Sequence, residues 1–235
     1  MELIRLNNVS KSLIANPYSI YAKNKEVKKI ISKISFSACA GENIAIVGPN
    51  GSGKTSLLKI LSRIIEIDKG ELIFEDNLKI AIITSNERSF FWRLSLIENI
   101  KYFAQSENIS RDEINKILSD FNLMHKINTP FMSLSLGEKI KMSIARAFLK
   151  KPNVLLLDEV TSSLDDSSKE KLFDIIDSLQ KIKAISLLIF ATHSKSEIEK
   201  HATRQIHLDN GSIIKDIKIN KVNVSNPSIL NNKKK

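Results

Sequence analysis

The stretch Asn43-Ile44-Ala45-Ile46-Val47-Gly48-Pro49-Asn50-Gly51-Ser52-Gly53-Lys54-Thr55 decides the fold. Its first five residues are short, apolar and rich in β-branched side chains, the pattern of a buried strand. The next eight fit G-x-x-x-x-G-K-[ST], and Ser56 to Ile65, with Leu57, Leu58, Ile60, Leu61 and Ile64 apolar, reads as a helix. The chain has seven glycines, and Gly48, Gly51 and Gly53 fall within six residues, so the backbone here has a special task. Strand, glycine loop and helix together form the setting in which successive N–H groups and a helix N-terminus converge on phosphate oxygens. Lys54 then reaches the β- and γ-phosphates and Thr55 offers a hydroxyl to Mg²⁺. Gly48, Pro49, Asn50, Gly51, Ser52, Gly53, Lys54, Thr55 and Ser56 are the candidate nucleotide-binding residues.

Working outward, Val154-Leu155-Leu156-Leu157 and Ser186 to Phe190 read as two more buried strands, separated by a helical pattern from about Ser167 to Leu179. Strands alternating with helices predict a parallel sheet covered on both faces. Asp158 ends one of these strands, where a carboxylate lies at the carboxyl edge of the sheet and holds Mg²⁺ through water, so Thr55 and Asp158 are the candidate metal pair. Glu159 follows directly and is the candidate base for an attacking water. His193 lies just past the next strand and arrives at the same edge, where an imidazole contacts a γ-phosphate and orients water. Glu159, His193 and Lys54 are therefore the candidate catalytic residues.

Between about residues 95 and 150 the pattern changes to helices only, which predicts a helical insertion in the α/β core. Ser110 with Glu113, and Ser135 with Glu138, have capping-box spacing before amphipathic runs. Ile206 to Ile214, around Asp209-Asn210-Gly211, carries a hairpin signal and adds an antiparallel part. One domain over 1–216 and a polar, basic tail over 217–235 complete the expected organisation.

Composition excludes several classes. With 235 residues, 42% hydrophobic and 26% charged, the chain is long enough for a sizeable core and is not a disordered tail protein. Its longest nearly apolar stretch, Ala184 to Ala191, is far below the roughly 18 residues needed to cross a bilayer. A secretory signal pattern is not expected, and the single cysteine, Cys39, leaves no internal disulfide, which points to the cytoplasm. The net charge of +10 raises nucleic acid as a partner, but lysine supplies 29 of the 36 basic residues and the seven arginines form no stripe, so the reading is a solvated lysine surface and no nucleic acid.

These residues resemble the nucleotide-binding subunits of ABC transporters over about Leu3 to Ile214. Leu134-Ser135-Leu136-Gly137-Glu138, followed by Lys139 to Leu149, looks like the family signature. The resemblance implies a P-loop NTPase of ABC type that binds ATP and Mg²⁺ and hydrolyses the nucleotide. It also implies a second ABC subunit, identical or not, whose Ser135, Gly137 and Glu138 close over the ATP of the first. Ser162-Ser163-Leu164-Asp165 resembles the D-loop, with Asp165 its acidic residue. The place of the Q-loop is Ser85 to Arg93, where Asn86 or Glu87 stands in for glutamine. Leu136 occupies a position where glycine is common. The adenine-stacking aromatic is replaced by Leu13, with Tyr18 or Tyr21 as substitutes.

The short stretch from Lys69 to Asn86 and the aromatic-rich Glu87 to Leu94 are similar to ABC-2-type exporters. That similarity implies a membrane-spanning permease as partner, a location on the cytoplasmic face of the cell membrane, and drug, polysaccharide or lipid-linked cargo. Phe90, Phe91 and Trp92 are the expected docking groove for that permease. The alternative is a soluble ABC ATPase working with a protein scaffold, as in iron-sulfur cluster assembly.

Overall fold

The computed structural model describes residues 1–14, 27–85, 89–105, 109–162 and 164–219. Strands β1 (Glu2–Ile14) and β2 (Val27–Cys39) come first, followed by β3 (Asn43–Val47) and helix α1 (Lys54–Leu61). Strands β4 (Lys69–Phe74) and β5 (Ile80–Thr84) lead into helices α2 (Leu96–Gln105), α3 (Arg111–Asp120) and α4 (Leu136–Phe148). The chain continues through β6 (Val154–Asp158), α5 (Asp166–Lys181), β7 (Leu187–Ala191), α6 (Lys195–His201), β8 (Arg204–Asp209) and β9 (Ser212–Lys218).

Among the described residues the strands form two sheets. The larger has the order β5-β6-β7-β3-β8-β9, parallel throughout except for the β8–β9 hairpin, and the smaller, β2-β1-β4, is antiparallel. This is the α/β core with an antiparallel part and a helical insertion that the sequence predicts. Strands β3, β6 and β7 are buried at every residue, so their side chains alternate between two cores. Ala45, Val47, Leu155, Leu157, Leu188 and Phe190 face Ile100, Leu118, Ile144 and Phe173 of the helices. Ile44, Ile46, Val154, Leu156, Leu187 and Ile189 face Leu57 and Leu61 of α1 and Leu6 and Ile34 of the smaller sheet. Parallel pairing with both faces covered brings the carboxyl ends of β3, β6 and β7 to one edge, where the candidate site lies.

Both expected capping boxes are present, at Ser110–Glu113 and Ser135–Glu138. The turn Asn210-Gly211, with φ of 45° and 75°, closes the predicted hairpin. Two elements end elsewhere than the sequence reading puts them. Helix α1 begins at Lys54 and stops at Leu61 rather than Ile65, because Arg63 adopts a left-handed conformation (φ 61°). Strand β9 runs past residue 216 to Lys218, and the Ile219 amide still donates to the Thr203 carbonyl. The long strands β1 and β2 pair through several bulges, which break the period-two pattern by which strands are found. No helix among the described residues is long and apolar enough to cross a membrane.

Candidate active site

Strand β3 delivers the chain into the glycine loop, and two glycines there exclude any side chain. At Gly53, φ is 106° and a Cβ would approach the Ile30 carbonyl oxygen to 2.8 Å. At Gly48 a Cβ would lie 2.1 Å from the Leu208 carbonyl oxygen. The loop is thus seated against β2 and β8, and the Gly211 amide of the hairpin turn donates to the Ser52 carbonyl at 3.0 Å. Gly53 caps α1 with no side-chain hydrogen bond, which leaves the first amides of the helix for an anion. The buried Ser52 hydroxyl finds no partner among the described residues, as suits a loop whose polar groups are completed by phosphate.

Lys54 is 4% exposed, and its ammonium donates to the carbonyls of Gly48 (3.0 Å) and Pro49 (3.2 Å). The same nitrogen lies 3.2 Å from His193 Nε2 and 3.3 Å from Glu159 Oε1. His193 Nε2 is also 3.2 Å from Glu159 Oε1. The three predicted catalytic side chains therefore meet. Because one imidazole nitrogen faces both partners, it either accepts from Lys54 or donates to Glu159, and the tautomer decides which. Glu159 itself is left-handed (φ 52°), an uncommon state for a residue with a side chain; the Ser162 amide and hydroxyl hold its carbonyl at 3.2 and 2.7 Å.

Thr55 Oγ1 donates to Asp158 Oδ1 at 3.0 Å, so the two residues expected to hold the metal are in contact. Two adjacent oxygen donors, one anionic and one neutral, fit Mg²⁺, a hard cation that keeps several waters and takes its remaining ligands from phosphate. Burial pushes the Asp158 carboxyl above its usual range and the neighbouring Glu159 adds to this, against the hydrogen bond from Thr55. A raised folded pKa means that the folded chain holds its proton after the unfolded chain has lost it, so this group subtracts stability as pH rises from the ordinary carboxylate value through the raised one. The Asp158→Asn variant is expected to lack that fall and to melt above the parent at neutral pH, while losing Mg²⁺-dependent nucleotide binding. Thermal unfolding across pH, with and without Mg-ATP, reads both; a variant that melts lower at neutral pH would contradict the assignment.

The residues expected to form the signature lie elsewhere on the chain. Ser135 caps α4 by accepting from the Glu138 amide (3.3 Å), and Glu138 Oε2 accepts from the Ser135 amide (2.8 Å). Gly137 faces Ser168 of α5, at 3.5 Å from its hypothetical Cβ, and Leu136 is exposed. Among the described residues no hydrogen bond joins Ser135, Gly137 or Glu138 to the loop over 48–55. Asp165 caps α5 through Ser168, whose amide and hydroxyl hold its carboxyl below the usual range. Asn86, Glu87, Tyr18, Tyr21 and Ser163 lie outside the described residues, and Leu13 is exposed.

One expectation is overturned. Phe90 is not part of a docking surface: it is 3% exposed, stacked on Phe131 at 4.4 Å and edge-on to Phe103 at 5.5 Å. Phe91 and Trp92 remain exposed, and Tyr102 meets Phe91 edge-on at 4.7 Å. The sequence reading also passes over Thr161, Thr192 and Glu197. Ser194 and Glu197 have capping-box spacing, and the Glu197 amide does donate to Ser194 Oγ, but its carboxylate turns inward to the two threonines.

The family model of the ABC transporter matches residues 31–162. The ABC transporter ATP-binding protein YdbJ of Bacillus subtilis is 29% identical over 202 residues, which cover 82% of this chain and 65% of that protein. The zinc import ATP-binding protein ZnuC of Wigglesworthia glossinidia brevipalpis is 30% identical over 179 residues, covering 76% of this chain and 74% of that one. A solved dimeric ATP-binding cassette in a post-hydrolysis state, bound to ADP and Pi, superposes with a TM-score of 0.75 at 21% identity, over 92% of this chain and 98% of the other.

Proposed function

Because the chain belongs to the ABC transporter family, we propose that it binds Mg-ATP, hydrolyses it at the β–γ bond and drives a membrane-spanning permease. The observation that carries this reading is the meeting of Lys54, Glu159 and His193 within 3.3 Å beside a loop built for phosphate. When phosphate enters, Lys54 exchanges the carbonyls of Gly48 and Pro49 for β- and γ-oxygens. Thr55 and Asp158 would hold Mg²⁺, which would neutralise charge on the phosphates. Glu159 takes a proton from the attacking water as its oxygen bonds to the γ-phosphorus and the bond to ADP breaks. His193, held between Lys54 and Glu159, orients that water against the γ-phosphate.

The site is completed by a second subunit, whose Ser135, Gly137 and Glu138 bring a helix N-terminus to the γ-phosphate, since the signature of the same chain packs on its own α5. Steady-state phosphate release from Mg-ATP by the purified chain is the direct test. A chain that neither binds nor turns over ATP would refute the reading.

Docking to the permease falls to Phe91 and Trp92, which are exposed aromatics of the kind that anchor interfaces. Outward transport follows the similarity of Glu87 to Leu94 to ABC-2-type exporters, with the chain peripheral on the cytoplasmic face. Phe91→Ser/Trp92→Ser is expected to keep ATP binding and lose both co-sedimentation with permease-containing membranes and stimulation of ATPase. Phe90→Ser is expected instead to destabilise the chain by about 3–5 kcal/mol, as large-to-small changes of buried aromatics do. Normal stimulation of the double variant would move docking elsewhere, and copurification with a soluble scaffold would replace the transporter reading. Vesicles carrying the assembled pair decide direction by accumulation or depletion of cargo.

A further inference from the structure

We propose that Glu197 is a positioning residue that locks the loop bearing Glu159 to the loop bearing His193, an inference that rests on reading the site as an ATPase. Strands β6 and β7 are hydrogen-bonded neighbours, and Asp158 paired with Ala191 is the end of their ladder. One residue further on, the two chains leave the sheet, and it is there that Glu159 and His193 must stay within 3.2 Å. Glu197 lies in the first turn of α6 and is 4% exposed. Its Oε2 accepts from Thr161 Oγ1 at 2.9 Å and from Thr192 Oγ1 at 2.5 Å. Thr161 follows Glu159 by two residues, Thr192 precedes His193 by one, and both are buried. The carboxylate thus joins the two loops just where backbone pairing stops. Its other oxygen faces Lys169 Nζ on α5 at 3.9 Å, which ties the same point to the helix that Asp165 caps.

Economy of folding does not account for this arrangement. A carboxylate buried at 3.9 Å from the nearest cation among the described residues carries a desolvation cost that a distant ammonium offsets only in part. What the carboxylate adds is direction, because one oxygen accepts two hydroxyls from different loops and fixes both backbones. Glu159 needs that support, since its left-handed backbone persists only where the surroundings over-determine it. The Ser162 bonds fix the Glu159 carbonyl from within its own loop, and Glu197 fixes the loop from outside.

The test uses Glu197→Ala and Glu197→Gln in the full chain, with kcat and KM for Mg-ATP, thermal unfolding, and the His193 ring signal by NMR without nucleotide, with His125 and His207 as internal controls. Glu197→Ala is expected to lower kcat by about 10²-fold, the cost of a misplacement of about 1 Å, with KM within about threefold of the parent. Glu197→Gln keeps an oxygen for both threonines and is expected to restore most of kcat. The His193 signal should move in Glu197→Ala and return in Glu197→Gln. A folded Glu197→Ala variant with unchanged kcat overturns the proposal, as does a loss of activity that only tracks the unfolded fraction while the His193 signal stays in place. If Glu197→Ala does not fold, the near-isosteric Thr161→Val and Thr192→Val variants carry the same expectation for kcat and His193, and normal kcat in both overturns it. A parent chain that turns over no ATP refutes the ATPase reading, whereas the nucleotide-free His193 signal decides separately whether Glu197 holds that ring.

Discussion

Replacing Glu159 by glutamine is expected to cut steady-state Mg-ATP turnover by about 10²–10⁴-fold, the usual worth of a general base, while ATP still binds. The substitution is nearly isosteric. A glutamine oxygen in place of Oε1 still accepts from Lys54 and still lies against His193, so the loop keeps its partners. What is lost is the ability to take a proton from water at that position. Binding depends on other groups, namely the loop amides, Lys54 and the Thr55–Asp158 pair, and these are untouched. A chain that closes on ATP without consuming it must accumulate in the closed state, so Glu159→Gln should double in mass by light scattering when ATP and Mg²⁺ are added together. Parent-like turnover in the variant would take Glu159 out of the mechanism. Monomer at every concentration would sink the two-subunit site for identical chains.

The same Glu159 marks how far the sequence could be read. Asp158-Glu159 after four apolar residues was legible because a buried parallel strand ends where its apolar run ends, and chemistry follows at its carboxyl edge. The glycine loop was legible because its spacing is set by phosphate geometry and not by packing. The fate of Phe90 was not legible. Residues 89–94 lie between elements with neither helical nor strand period, so nothing in the string says which aromatic turns inward. In the structure that is decided by Asn99, fully buried on α2, whose amide oxygen accepts from the Phe91 amide at 2.8 Å and whose nitrogen donates to the Phe91 and Leu94 carbonyls at 3.0 and 3.2 Å. That clamp fixes the segment, leaving Phe90 inside and Phe91 and Trp92 outside. An asparagine in an amphipathic helix carries no mark of such a task. Glu197 was hidden in a similar way, because a glutamate three residues after a serine at a helix start has an adequate local explanation as a cap. Only the fold brings Thr161 and Thr192 to it from two separate loops.

The second large effect is expected at Lys54. Its ammonium is almost wholly buried, and two carbonyls of the loop, the Glu159 carboxylate and His193 surround it. A buried cation with such partners is already oriented, so little side-chain entropy remains to be lost when phosphate replaces the carbonyls. Lys54→Ala removes that positive charge and its charge-assisted bonds, each worth about 1.5–3 kcal/mol. With about 1.4 kcal/mol per tenfold change, loss of one or two such bonds lowers ATP affinity by about 10- to 10⁴-fold. Turnover at saturating ATP should fall as well, since the γ-phosphate loses the cation that steadies its developing charge. Three further signs separate this from general damage. Lys54→Ala leaves the Gly48 and Pro49 carbonyls to water and takes from Glu159 its cation, while His193, already 3.2 Å from Oε1, stays as the partner of that carboxylate. The variant should therefore fold, keep the Thr55–Asp158 contact and fail to form the ATP-dependent dimer even when combined with Glu159→Gln. Isothermal titration with ATP and Mg²⁺, followed by light scattering of the double variant, reads each step. Parent-like affinity in Lys54→Ala would mean that the amides of the loop and of α1 hold the phosphates alone, and that the lysine serves only to brace the loop through the Gly48 and Pro49 carbonyls.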